Sequence, residues 1–185
     1  MSIIRNLAII MIMVLSIQCS KENKFLIEKG KVGEITNETV VQDIDVLFDS
    51  DSIVSKYPDT TANGSLLQSN GALGVYSKSG VKLLEIVPES SDSLSKISSV
   101  QIFDKNYKTD KGLSLNSTFK DINENYLVNN IETTLTSATL FIDELNATIA
   151  IDKKELGLNT FSREEISLDQ IPDMAKIKYF TIWFN

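Results

Sequence analysis

The most constraining feature of the sequence is a series of short segments, rich in β-branched and aromatic residues, that are separated by turn signals. After residue 70 these segments are 72–76, 81–87, 97–103, 138–142, 148–151 and 177–184. Each has the length and composition of a strand and is too short for a typical helix. Short turns such as the one around Gly80 can join only antiparallel strands. We therefore predict an antiparallel β-meander, a β-hairpin and a final strand.

The final segment, residues 177–184, is apolar at successive positions. In a strand, Tyr179 and Trp183 lie on one face while Phe180 and Phe184 lie on the other. Because both faces would be apolar, we predict a central strand whose aromatic side chains belong to the core. The alternative is that these aromatic side chains line a ligand groove.

Two segments have helical spacing. Apolar residues recur at intervals of three and four from Val40 to Phe48, after hydroxyl residues that could cap a helix. The same arrangement follows Ser117, with Ile122 and Tyr126 on one face. The chain is therefore predicted to be α+β, an antiparallel β-meander with two short helices.

The two helical segments also resemble each other. The stretch from Ile35 to Phe48 matches the stretch from Leu113 to Tyr126 in its apolar start, hydroxyl residues, Asp-Ile pair and terminal aromatic residue. This internal match predicts two tandem helix-plus-meander units, residues 25–110 and 111–185, arranged either as two units or as one continuous domain.

This pattern resembles the outer-membrane assembly lipoprotein (SmpA/OmlA type) and β-lactamase inhibitor superfamily. In that superfamily a Gly-containing turn, a Ser or Thr and a short helix introduce an antiparallel sheet. The present chain has Asp49-Ser-Asp-Ser after the first helix, where the superfamily usually has Gly-x-Pro. The resemblance implies protein binding through a sheet face, with no cofactor.

The N-terminal segment has the layout of an export signal. Arg5 precedes the apolar run 7–15, and polar residues follow before the run could span a bilayer. The segment ending at Cys19 resembles a bacterial lipobox, which implies that residues 1–18 are a signal peptide and that the thiol is acylated. Residues 19–24 would form a lipidated tether to the outer membrane. The residues after Cys19 resemble the surface-export signals of Bacteroidetes lipoproteins. The anchored domain could therefore face either the periplasm or the cell surface.

Composition excludes several function classes. The chain has no histidine and a single cysteine, so imidazole catalysis and intrachain disulfides are excluded. Its formal charge of −7 and the absence of a Lys/Arg-rich stripe argue against a nucleic-acid partner.

An acidic series invites a calcium interpretation. It consists of Asp43, Asp45, Asp49 and Asp51, and calcium prefers several carboxylate oxygens. The spacing lacks the central Gly and distant Glu of an EF-hand loop, so we predict a solvated helix face and no metal site.

Two carboxylate pairs, Asp143-Glu144 and Glu164-Glu165, could in principle serve glycoside hydrolysis. A hydrolase with a Ser-Lys pair is also compatible with the composition. A Ser-His-Asp triad is excluded because the chain has no histidine. The sites Asn37, Asn63, Asn116 and Asn146 match an N-glycosylation pattern, but we interpret them as turns and caps.

These features predict a non-enzymatic cell-envelope lipoprotein that binds a protein or another envelope component, without a cofactor. The alternatives are a surface glycan hydrolase that uses paired carboxylates, and a small-ligand binder that uses the concave face of the meander.

The lipid anchor can be tested by the intact mass of protein extracted from membranes. We expect a mature N-terminus at Cys19 that carries acyl mass. The acylated protein should stay in the membrane fraction, because each buried methylene contributes about 0.8 kcal/mol to membrane attachment. The Cys19→Ala variant should lose both the added mass and the membrane association. An unmodified wild-type protein recovered in the soluble fraction would contradict the anchor.

Overall fold

We describe the fold from a computed structural model, which covers residues 23–56, 71–159, 161 and 164–184. The predicted leader and Cys19 lie outside the described residues, as do residues 57–70, which include Asn63. Within the described ranges, no helix has the length and apolar character needed to cross a membrane.

An eight-stranded sheet, antiparallel throughout, forms the body of the fold. Its strands are β4 (Ser52–Lys56), β5 (Ala72–Tyr76), β6 (Lys82–Pro88), β7 (Ile97–Ile102), β9 (Asn130–Thr133), β10 (Ser137–Ile142), β11 (Ala147–Asp152) and β12 (Ile177–Trp183). The spatial order is β4-β5-β6-β7-β12-β11-β10-β9. The predicted meander, hairpin and central final strand are confirmed.

A smaller four-stranded sheet precedes and flanks the first helix. It consists of β1 (Leu26–Glu28), β2 (Lys31–Val32), β3 (Ile35–Thr36) and β8 (Lys108–Thr109), in the order β3-β2-β1-β8, with β1 parallel to β8. Gly33 follows β2 with a positive φ of 60°. A Cβ atom at Gly33 would collide with the carbonyl oxygen of Lys24, so the turn requires glycine.

The two predicted helices are present and short. Helix α1 spans Ile44–Leu47 after a 3₁₀ turn at Val41–Asp43, and helix α2 spans Phe119–Asn125. The Asp121 carboxylate accepts hydrogen bonds from the backbone N–H (2.7 Å) and the hydroxyl (3.1 Å) of Thr118, which fixes the start of α2. The α+β class is therefore confirmed.

One face of the large sheet is buried in a single hydrophobic cluster. Its sheet side chains include Leu84, Ile86, Val100, Ile102, Leu140, Ile149, Phe180 and Ile182. The small sheet contributes Ile27 and Val32, and the helices contribute Ile44 and Ile122. Both the core and the sheet therefore draw residues from the 25–110 and the 111–185 segments.

The aromatic residues of the final strand were all predicted to lie in the core. This prediction is wrong for two of them. Phe180 is buried at 0% exposure, but Tyr179 and Trp183 are 43% and 37% exposed. A register shift, in which Ala150 pairs with Tyr179 and Ile151 pairs with Ile177, turns Ile177 to the buried face. Strict alternation would place Ile177 and Tyr179 on the same face. Because of the register shift, they lie on opposite faces.

Adjacent residues of β12 provide a matched test of this assignment. We expect Phe180→Ala to lower the free energy of unfolding by about 3–5 kcal/mol, because it leaves a cavity in the core. Tyr179→Ala, one residue away on the opposite face, should cost about 1 kcal/mol or less. Urea unfolding of both variants measures the difference, and equal losses would show that the two faces are assigned wrongly.

Candidate functional site

The face of the large sheet opposite the core carries polar and aromatic side chains, and we call it the open face. Its members on β7, β10, β11 and β12 are Gln101, Thr139, Phe141, Thr148, Tyr179, Thr181 and Trp183, and Phe103 directly follows β7. The strand register places Phe141, Thr148, Thr181 and Gln101 in one row across four strands. Three neighbouring strands therefore supply hydroxyl or amide groups between exposed aromatic rings.

Trp183 is held in place across this face. Its indole Nε1 donates a hydrogen bond of 3.0 Å to the Thr148 hydroxyl on the neighbouring strand. Thr148 pairs with Thr181, two residues back along β12, so the indole leans over the sheet toward Thr181. The Asn146 side-chain amide donates a hydrogen bond of 3.0 Å to the Trp183 carbonyl oxygen, at the end of the open face beside the β10–β11 turn. Because the ring is already fixed, a ligand would not have to order it.

Paired charges border the aromatic residues. Lys178 forms an ion pair of 2.8 Å with Asp152 and lies 5.2 Å from the centre of the Tyr179 ring. The hydrogen bond between them raises the pKa of Lys178 and lowers that of Asp152, whose carboxylate also accepts the Lys154 backbone N–H. Lys82 similarly pairs with Glu85 and lies 4.0 Å from the centre of the Phe103 ring.

Two shallow depressions lie on the open face. One, of about 380 Å³, is lined by Phe141, Asp143, Asn146 and Trp183 among others. The other, of about 460 Å³, is lined by residues that include Gln101, Phe103, Tyr179 and Thr181. Thr139 and Thr148 line both depressions. The two depressions therefore adjoin, and we refer to them together as the groove.

A separate cleft of about 480 Å³ lies near the small sheet and is strongly acidic. It is lined by Lys24, Phe25, Glu34, Val46, Leu47, Phe48, Asp49, Ser50, Asp51, Ser77, Leu83, Asp104 and Tyr107. Burial, together with Asp104, Asp51 and Glu34, raises the pKa of the Tyr107 hydroxyl well above its usual range. The phenol therefore stays protonated beside these carboxylates.

The acidic series proposed from the sequence is divided by the structure. Asp43 accepts a 3.2 Å hydrogen bond from the Val40 backbone N–H and Asp45 is exposed, whereas Asp49 and Asp51 line the acidic cleft. In the ranges that the structure describes, no three carboxylates converge in a way that could hold a metal ion.

The two carboxylate pairs lie at separate depressions. Asp143 lines the groove, and Glu144 instead forms a 2.6 Å ion pair with Lys111. Glu164 and Glu165 line a small depression of about 130 Å³. Glycoside hydrolysis requires two carboxyl groups on either side of one bond. Asp143 and Glu144 have different surroundings, whereas Glu164 and Glu165 line the same small depression.

A catalytic lysine base would have to be neutral at working pH. The pKa of Lys111 is raised by its hydrogen bond to Glu144, and that of Lys178 by its hydrogen bond to Asp152. Both amines are therefore held in the protonated form, which disfavours them as bases in a Ser-Lys pair.

The sequence places Thr181 on the same face of the final strand as Tyr179 and Trp183, but it did not predict that Thr139, Thr148 and Gln101 on the neighbouring strands line the same surface. The available signal was one threonine in each of β10, β11 and β12, namely Thr139, Thr148 and Thr181. Asn146, predicted as a turn residue, indeed turns the chain between β10 and β11 with a φ of 49°.

Comparisons with known proteins give a structural likeness only. No protein-family model and no curated protein matches the chain. The fold is similar to the crystal structure of the uncharacterized protein YfeY from Escherichia coli, with a TM-score of 0.56 and 15% identity. The match covers 85% of this chain and 99% of that chain. It shows that the two proteins share a fold.

The Tyr107 hydroxyl makes stability depend on alkaline pH. Its pKa is higher in the folded chain than the unfolded value of 10.0. The contribution of this group to the free energy of unfolding is therefore fully present below pH 10 and decreases as the pH rises above 10. For this group alone, the unfolding free energy should fall by about 1.4 kcal/mol per pH unit once only the unfolded state ionises.

We expect Tyr107→Phe to flatten this alkaline decline relative to wild type, measured by urea unfolding at several pH values above 9. The comparison uses the slopes, so a constant loss of stability in the variant does not affect it. Parallel curves for the two proteins would contradict the proton retention at Tyr107.

Proposed function

We propose that this chain is a non-enzymatic lipoprotein of the cell envelope, held at the outer membrane through Cys19, whose open face binds an envelope component. The observation that carries the proposal is the asymmetry of the large sheet. One face is buried in the core, whereas the other leaves Tyr179 and Trp183 substantially exposed. Exposed Tyr and Trp side chains are typical of binding surfaces, and the indole N–H of Trp183 is already hydrogen-bonded within the sheet.

The short tether supports an envelope partner. Residues 19–24 can reach at most about 20 Å when fully extended, and β1 begins at Leu26. An acylated Cys19 would therefore keep the sheet close to the membrane surface. The partners that such a domain meets are envelope proteins and envelope polymers.

We further propose that the chain consists of two tandem copies of one unit, merged into a single domain. Paired hydrogen bonds support this. The Thr36 N–H donates to the Thr39 hydroxyl at 2.9 Å, and at the matching positions the Ser114 N–H donates to the Ser117 hydroxyl at 3.2 Å. The bond from the Val40 N–H to Asp43 likewise corresponds to the bond from the Thr118 N–H to Asp121.

The connections of the helices to the sheet correspond as well. Val40 forms an isolated antiparallel bridge with Lys96, directly before β7, and Thr118 forms one with Lys176, directly before β12. Strands β4 to β7 and β9 to β12 are each a four-stranded meander, and their last strands pair antiparallel. This arrangement supports an approximate two-fold axis through the β7–β12 seam, near the centre of the open face.

Site-specific photocrosslinking in cells tests the binding function. A photoreactive residue placed at Thr181, in the open face, should give a discrete adduct in the envelope fraction. The same residue at Lys120, exposed on α2, should give none. Adducts at both positions in equal yield, or at Lys120 alone, would contradict binding through the open face. In the Cys19→Ala background the Thr181 adduct should decrease, because the domain is no longer held at the membrane.

A further inference from the structure

We propose that the groove binds an uncharged glycan chain; this deepens the proposed function, because it takes the open face as the binding surface. The two adjoining depressions, of about 380 and 460 Å³, are open and shallow, which suits a ligand that lies along the sheet surface. Their shared border at Thr139 and Thr148 makes the groove longer than either depression. A linear ligand of several linked rings fits this shape better than a single compact molecule.

The groove is lined almost entirely by uncharged groups. Asp143, at one end, is the single charged side chain among its described lining residues. The hydroxyls of Thr139 and Thr181 can each both donate and accept hydrogen bonds, as can the Gln101 amide. Sugar hydroxyls have the same dual character, so a lining of this kind can satisfy them in more than one orientation.

Two aromatic rings lie along the groove on one strand. Tyr179 and Trp183 are on the same face of β12, and at about 3.3 Å per residue their Cα atoms are roughly 13 Å apart. The faces of sugar rings carry C–H groups that pack on aromatic rings. Because the Trp183 indole is held by Thr148, it offers such a surface without an ordering cost.

Charge argues against an anionic polymer. The lysines that border the groove already neutralise carboxylates, Lys178 with Asp152 and Lys82 with Glu85. Binding an anion would require breaking these pairs in a chain of net charge −7. A protein partner could also use Tyr and Trp, but interface centres of that kind are also enriched in Met and Arg, and the described groove lining contains neither.

Trp183 is the single tryptophan of the chain, so its fluorescence reports on the groove directly. The probes are soluble dextran, xylan, mannan and mixed-linkage β-glucan, with polygalacturonate as the anionic comparison. The full-length lipoprotein would be titrated in a detergent without a sugar headgroup. We expect a saturable change in emission with at least one neutral polysaccharide and none with polygalacturonate.

Variants separate the groove from the rest of the surface. Tyr179→Ala should weaken binding by tenfold or more, and Thr139→Ala severalfold. Phe161→Ala removes an aromatic ring that is 70% exposed and does not line the groove, so it should bind like wild type. Trp183→Phe, assayed by affinity electrophoresis, should lose most of the binding. Cooperative urea unfolding transitions of Tyr179→Ala and Thr139→Ala, with midpoints well above the assay conditions, would show that both variants are folded.

The outcomes distinguish this inference from the proposed function. If no neutral polysaccharide changes the emission, or if Tyr179→Ala binds as tightly as wild type, the glycan inference is overturned. A protein adduct from Thr181 together with no glycan binding would overturn the glycan inference and leave the open face as a binding surface. The absence of both would overturn the glycan inference and the proposed function together.

Discussion

The pairing of β7 with β12 is the constraint on which the remaining structure depends. In this pairing Phe180 lies opposite Ile102 and Ile182 lies opposite Val100, and all four side chains are buried. The pairing joins two four-stranded meanders into one eight-stranded sheet. Without it, each meander would expose a strand edge and half of the core, which is a costly arrangement for units of this size.

The same pairing determines the opposite face. Because alternate side chains of a strand point to opposite sides, burying Phe180 and Ile182 turns Tyr179, Thr181 and Trp183 outward. A shift of one residue would exchange the two sets and expose the core residues. The register that stabilises the fold therefore also positions the proposed binding surface, with core residues and open-face residues alternating along one strand.

The sequence predicts much of the fold because its strongest signals are local. Strand β5 begins and ends at the predicted residues, and the β10–β11 hairpin and the cap of α2 are also as predicted. The edge strands β4 and β9 were not predicted. An edge strand has one neighbour and is half solvated, so Asn130–Thr133 carries a weak hydrophobic pattern.

The site was harder to predict than the fold. Apolar aromatic residues on a central strand suit a core, and only the tertiary arrangement shows that nothing in the described ranges buries Tyr179 and Trp183. The bulge opposite Ala150 adds to the difficulty, because it moves Ile177 to the buried face without any glycine or proline to mark it. A register shift of this kind arises from packing between strands and leaves no local signal in the chain.

An antiparallel sheet can leave one face solvated, but such a face is usually polar. Here the rings on the open face are held by specific contacts: Trp183 by Thr148, and Tyr179 beside the paired amine of Lys178. These contacts satisfy the indole N–H and neutralise the adjacent charge without covering the rings completely. Adjoining aromatic rings that are fixed in position and still accessible are a common feature of interaction sites, and this feature supports the proposed binding role of the open face.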